Sequence, residues 1–248
     1  MTVLITGGTK GIGLAIARRL ALRHGRVALA YHSDDAAADA AIAEIARAGG
    51  EAVAIKSDVG TMDGAISLIA EIERQGHGLT HIVHSAATIY PTTLLGSDLA
   101  KFRQAIETNG LSLLYLVHAA QSLLTRGSSV VFITSMGARI PSPNYGALGV
   151  GKALAEAIIR YLVAELAPRG IRINGVAPGL VHTTSVASMV GSEEAAAAAV
   201  ERAARSNPSG RASRDSDYAS LVEYLLGPEA EFIQGQVIAA TGGTGVIG

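Results

Sequence analysis

Cysteine is absent from this 248-residue chain, which excludes disulfides, thiolate nucleophiles and cysteine-ligated zinc together. Charge is sparse. Only 17% of residues are Asp, Glu, Lys or Arg, and the formal net charge is −1, so there is no electrostatic case for nucleic acid or an anionic membrane as a partner. No basic segment followed by an apolar stretch opens the chain; MTVLITGG runs straight into a strand pattern, and no signal peptide is read there. A membrane span is missing as well, because the longest apolar helical pattern, ALAEAIIRYLVAEL, is broken by Glu156, Arg160 and Glu165. The expectation from these absences is a cytoplasmic protein.

What is present is apolar material, 49% of the residues, enough for a large core in a length within reach of one α/β domain. Short β-branched runs, VLIT, RVALAY, AVAIKS, THIVHS, SVVFITS, IRINGVA and QVIAA, each lie near a turn signal. Between them, residues 12–24, 35–48, 62–75, 98–125, 143–167 and 214–226 carry helical periodicity. This alternation predicts a doubly wound, Rossmann-type parallel sheet with helices on both faces, in a single domain spanning 1–248, with ligands beyond the carboxyl ends of the strands. Residues 184–210 stand outside the alternation. They hold GSEEAAAAAVERAAR, a helix with Ser192 as N-cap, Glu193 and Glu194 in its first turn and Arg202 and Arg205 near its end, an order that suits the helix dipole. This segment is expected either to form a lid over the cofactor cleft or to be a plain surface excursion.

TGGTKGIG at 6–13 follows the first strand and opens an amphipathic helix. In that context Gly7, Gly11 and Gly13 let the backbone approach a pyrophosphate, with Thr9 and Ile12 beside them, while the helix start offers free N–H groups. The second strand ends ALAYHS with no acid at 30–33; Asp34 and Asp35 come later, at an expected helix start. An acid at the strand end would bind an adenosine ribose and repel a 2′-phosphate. Here Lys10 is the available cation, with Tyr31, His32 and Ser33 alongside, and NADPH is favoured over NADH. In KSDVG, Asp58 either accepts from the adenine amino group or caps the next helix, and Val59 follows it.

Tyr145 and Lys152 stand seven residues apart in PNYGALGVGK, about 700° around a helix and roughly 20° short of two turns, so both look the same way. Ser142 and Pro143 read as N-cap and first helical residue, which puts Tyr145 in the first turn. Gly146, Gly149 and Gly151 each cost up to about 1 kcal/mol in a helix interior, so something packs closely there, either a neighbouring backbone or the nicotinamide ribose. Ser135 closes the strand ten residues before Tyr145. Asn109 sits inside the long helix, where it holds a water, holds a neighbouring carbonyl or is merely tolerated. Lys152 is expected to hold the ribose hydroxyls and to lower the proton affinity of Tyr145, which donates to the substrate oxygen as it gains charge.

Taken together, TGGTKGIG, SDV at 57–59, Asn109 in ETN, Ser135, Tyr145 with Lys152, APG at 177–179 with Thr183, and IQGQVIAATGG resemble the short-chain dehydrogenase/reductase superfamily over nearly the whole chain. The resemblance implies a sheet of seven parallel strands and a homotetramer packed through the long helices. It also implies nicotinamide-end contacts from Pro178, Gly179, Val181 and Thr183. Two departures narrow it. Leu148 occupies the usual tyrosine position, four before the lysine, and the longer spacing is similar to the type III, NADPH-using branch of enoyl-acyl carrier protein reductases. That branch implies hydride addition at C3 of a 2,3-unsaturated acyl thioester, on carrier protein or coenzyme A, with Tyr145 stabilising the enolate. After the fourth strand the usual Asn-Asn-Ala-Gly is replaced by His84, Ser85, Ala86 and Ala87, the last three at positions that border the nucleotide. His81 and His84 sit three apart on a strand and face opposite ways, so no metal site is read there. The rival to enoyl reduction is a ketoreductase using the same Tyr145, Lys152 and Ser135; a non-catalytic NADP-binding regulator is the third possibility.

Overall fold

The protein is described by a computed structural model covering residues 2–76 and 78–246. Seven strands, β1 (Thr2–Thr6), β2 (Arg26–Tyr31), β3 (Ala52–Lys56), β4 (Leu79–His84), β5 (Ser129–Ile133), β6 (Arg172–Pro178) and β7 (Val237–Ala240), form one sheet in the order β3-β2-β1-β4-β5-β6-β7. Every pairing is parallel. A sheet covered on both faces needs strands that are apolar throughout, and TVLIT and SVVFI are buried at every residue.

Because side chains alternate along a strand, β1 feeds two cores. Leu4 joins Ile82, Phe132, Leu68, Leu113 and Ile159 on one face. This face is covered by α3 (Met62–Arg74), α5 (Ser112–Ala120) and α6 (Gly146–Leu166). Val3 and Ile5 join Ile16, Leu20, Val131, Tyr218 and Val222 on the other, under α1 (Gly11–Ala21), α2 (Asp35–Arg47) and α9 (Asp215–Leu226). The strand order reverses between β1 and β4, so the connections leaving these two strands diverge and open a crevice at their carboxyl ends. Thr6 and His84 are register partners at its floor.

Two helices differ from expectation. The long helix predicted over 98–125 is α4 (Leu99–Ile106), a π-helical turn at Glu107–Leu111 and then α5. The helix bearing Tyr145 begins at Gly146 rather than at Pro143. Asn144 takes φ +58, a left-handed conformation that asparagine tolerates and that cannot start an α-helix. Ser142 therefore does not cap; its carbonyl accepts from Tyr145 N at 3.2 Å to close a tight turn, and Tyr145 itself is the N-cap residue. The 184–210 segment holds two helices, an unforeseen α7 (Thr184–Val190) and the expected α8 (Glu193–Ser206) capped by Ser192. Among the described residues, no helix is long and apolar enough to cross a membrane.

Candidate active site

The glycine turn is built for close approach. A Cβ on Gly13 would stand 2.1 Å from the Gly7 carbonyl oxygen, and one on Gly7 would stand 2.9 Å from Ala86 Cα. Gly7 and Gly11 also have φ of +63 and +49. At the start of α1, Lys10 makes no side-chain cap and the first turn holds no acid. By contrast, α2, α3, α7 and α8 are capped by Asp34, Thr61, Thr183 and Ser192. The free N–H groups and positive dipole of α1 suit an anionic phosphate, so these residues fit the pyrophosphate of a dinucleotide. Thr9 is buried beneath the turn and Ile12 packs on the core.

At the ends of β2 and β3, charge is paired. Lys10 Nζ donates to Asp34, whose other oxygen accepts from Ala37 N at 3.0 Å. Lys10 is thus bridged to an acid that the sequence places only at a helix start. Tyr31 Oη and Lys56 Nζ both donate to Asp35, at 2.9 and 3.0 Å. His32 lies 3.9 Å from Asp58, and Ser33 is exposed beside it. Asp58 is not the helix cap; it accepts from Gly60 N at 3.0 Å, and Thr61 caps α3. Val59 is buried in the core. Across the cleft, Pro178 ends β6, Gly179 N donates to the Ala240 carbonyl at 2.9 Å, and Val181 is buried. The Thr183 methyl lies 3.2 Å from where a Gly11 Cβ would stand, so the glycine turn and the start of α7 touch.

Three consecutive residues leaving β5 are read out by three residues of the α6 segment. Lys152 Nζ donates to the Ile133 carbonyl at 2.8 Å, Thr134 Oγ1 donates to Glu156 at 2.8 Å, and Tyr145 Oη donates to Ser135 Oγ at 3.1 Å. Lys152 is buried, 4.4 Å above the Phe132 ring, and burial brings its ammonium down to about 7. The expected depression of the phenol by Lys152 is not what is found. Burial pushes Tyr145 above the ordinary tyrosine value, opposed only by the Ser135 hydrogen bond. Glu156 also accepts from Arg139 at 3.1 Å, tying the loop between Ser135 and Tyr145 to α6. The sequence signal for Glu156 was its place four residues after Lys152, on the same face, where it read only as an interruption of an apolar run.

The glycines of α6 serve neighbouring chain. Cβ atoms at Gly149 and Gly151 would stand 2.6 Å from the Gly137 carbonyl oxygen and 2.6 Å from Asn109 Cβ, and one at Gly146 would stand 2.9 Å from Leu94. Asn109 is fully buried in the π turn. It accepts from Thr88 N at 2.9 Å and donates to Thr88 O at 3.0 Å, so it holds a neighbouring carbonyl. Ser85 N and Ala86 N donate to Thr6 O and Thr6 Oγ1, each at 3.2 Å, and Ala87 is exposed. A cleft of about 460 Å³ runs beside the Tyr145 ring, lined by Thr92, Leu94, Ala138, Pro141 and Val150 among others.

Residues 7–245 match the family described as Enoyl-(Acyl carrier protein) reductase. An uncharacterized oxidoreductase of Methylorubrum extorquens is 33% identical over 97% of this chain and 96% of its own length. A 1-cyclohexenylcarbonyl-CoA reductase of Streptomyces collinus is 29% identical over 98% and 86%, and a 3-oxoacyl-[acyl-carrier-protein] reductase of Synechocystis 28% over 97% and 95%. Among solved structures, a dehydrogenase/reductase from Sinorhizobium meliloti superposes with a TM-score of 0.88 at 32% identity, over 99% of this chain and 95% of the other. A short-chain dehydrogenase from Burkholderia cenocepacia in complex with NADP gives 0.86 at 28%, over 98% and 97%. With its sheet order, its glycine turn and Tyr145, Lys152 and Ser135 gathered at one strand end, the chain belongs to the short-chain dehydrogenase/reductase oxidoreductases, in the Enoyl-(Acyl carrier protein) reductase family.

Proposed function

We propose that the protein is an NADPH-dependent reductase of the 2,3-double bond of an enoyl thioester carried by acyl carrier protein or coenzyme A. The observation that carries this is the position of the phenol. Tyr145 sits at the N-cap position of α6, seven residues before Lys152, and Leu148, buried, fills the position one turn nearer. Bound at the glycine turn, NADPH supplies a hydride to C3 of the substrate. Tyr145 swings its hydroxyl from Ser135 to the thioester oxygen and hydrogen-bonds to it as the enolate forms, keeping its own proton; C2 then takes the single proton of the reaction from solvent. Burial raises Tyr145 above the ordinary tyrosine value, so the hydroxyl stays protonated and stabilises the enolate as a hydrogen-bond donor. Lys152, anchored on Ile133, holds the nicotinamide ribose, and Lys10 with His32 receives the 2′-phosphate.

The apolar cleft beside Tyr145 takes the acyl chain. Helices α7 and α8 act as a lid; support comes from Thr183 lying against Gly11 and from His182 Nε2 standing 3.3 Å from Glu193 at the start of α8. The protein is placed in the cytoplasm as a homotetramer packed through its long helices, which light scattering on the purified protein tests. A second reading, ketoreduction of a 3-oxoacyl thioester, is favoured by one contact, the 3.1 Å bond from Tyr145 to Ser135, because a serine beside the phenol also suits a ketone oxygen. Following NADPH consumption with crotonyl and acetoacetyl thioesters separates the two.

A further inference from the structure

His84 has no exposed surface, and both of its ring nitrogens are hydrogen-bonded to side-chain hydroxyls. Thr6 Oγ1 accepts from Ala86 N at 3.2 Å, which leaves its own proton free for His84 Nδ1 at 2.5 Å. Ser112 Oγ donates to the Thr108 carbonyl at 2.6 Å, so it accepts from His84 Nε2–H, also at 2.6 Å. With the Ser112 proton on the Thr108 carbonyl, the arrangement favours the Nε2–H tautomer, with Nδ1 accepting from Thr6. These contacts close on themselves. On one side, Thr6 fixes Ala86. On the other, Ser112 holds Thr108 in the π turn, whose next residue, Asn109, clamps both backbone groups of Thr88. The 85–88 turn that follows His84 is thus gripped near both ends. It walls the glycine turn at Gly7, and Asn109 in turn bears on Gly151 of the helix carrying Lys152.

We propose that His84 is a positioning residue that sets the shape of the 85–88 turn, through Thr6 at Ala86 and through Ser112 and Asn109 at Thr88, and so completes the NADPH site on its nicotinamide side. The proposal rests on the NADPH reading above. Among the described residues, the adenosine end at Lys10, His32 and Asp58 makes no hydrogen bond to this ring of contacts, which reaches it only where Thr108 packs against Gly60 beside Asp58. His84 therefore separates the whole cofactor from its adenosine half.

The test is fluorescence or calorimetric titration with NADPH and with adenosine 2′,5′-bisphosphate, on the wild-type protein, His84→Phe and His84→Asn. Failure of the wild type to bind NADPH sinks the cofactor assignment and says so before any variant is compared. Given binding, His84→Phe should weaken NADPH roughly tenfold, two buried hydroxyls having lost their partner, while the bisphosphate stays within about twofold. His84→Asn, which keeps an acceptor near Thr6 but does not reach Ser112, should recover part of the loss. Histidine nitrogen NMR on the wild type should show an Nε2–H ring that does not titrate between about pH 5 and 8. Unchanged NADPH affinity in folded His84→Phe, parallel weakening of both ligands, or an Nδ1–H ring overturns the proposal. If His84→Phe does not fold, Ser112→Ala breaks only the far end and should weaken NADPH about threefold; no change there overturns it equally.

Discussion

Lys152 spends a hydrogen bond on the carbonyl of Ile133, two residues before Ser135. The amine is thereby fixed to the same strand end that fixes the phenol. With burial holding its ammonium at about 7 rather than 10.5, the cation persists below neutrality and is lost as pH rises through that value.

If the charged form of Lys152 is needed to receive the cofactor, kcat/KM for NADPH, which reports the free enzyme, should fall about tenfold per pH unit above pH ~7. Lys152→Met should be slow throughout and lack this limb. A wild-type profile that stays level to pH 9 removes the lysine charge from cofactor capture.

Tyr145→Phe should lower kcat by about 10²- to 10⁴-fold, the usual worth of a positioned acid, and change the NADPH dissociation constant by less than about threefold, since only the hydroxyl is removed. Stopped-flow turnover and titration of the same preparation check the two halves separately.

A Cβ at Gly137 would stand 2.3 Å from the Tyr145 ring. Gly137→Ala must therefore shift that ring or the loop. It should cost about 1–3 kcal/mol of stability and lower kcat far more than NADPH affinity. Thermal melts and kinetics on one variant would show both effects, and an unperturbed kcat would mean that the ring position is unimportant.

Lys10→Ala should weaken NADPH about tenfold more than NADH, because the 2′-phosphate is the only difference between them. Asp34→Asn keeps the α2 cap but frees Lys10 from its ion pair. It should tighten NADPH a few-fold, most visibly at low salt. An unchanged NADPH to NADH ratio in Lys10→Ala contradicts the assignment.

Burial holds His84 at about 3 and His81 at about 4, against 6.5 for a free histidine. The unfolded chain therefore takes up protons first as pH falls, and stability is lost from about pH 6.5 down to those folded values. Each ring contributes a slope of about 1.4 kcal/mol per pH unit. Denaturant melts of His84→Asn between pH 4 and 7 should show a slope smaller by about one proton.

The sheet was legible because its strands are apolar runs of the right length between turns, and the glycine turn because strand, glycines and helix come in order. Ser192 and its acids announced α8 on local grounds alone. What escaped depends on contacts between distant segments. Nothing near ETN signals a π turn; it is stabilised by Asn109 reaching Thr88 and by Gly151 lying against it. The start of α6 was misplaced because Ser142-Pro143 is a good cap signal overridden by the left-handed Asn144. Glu156 and the His84 chain stayed hidden because their partners, Arg139, Thr134, Thr6 and Ser112, come from other elements.

The most direct check is the ratio of kcat/KM for a crotonyl thioester to that for an acetoacetyl thioester with NADPH, measured in the wild type and in Tyr145→Phe. Enoyl reduction requires the ratio to exceed about ten and the crotonyl activity to vanish with the phenol. Preference for acetoacetyl, or crotonyl turnover that survives Tyr145→Phe, contradicts it.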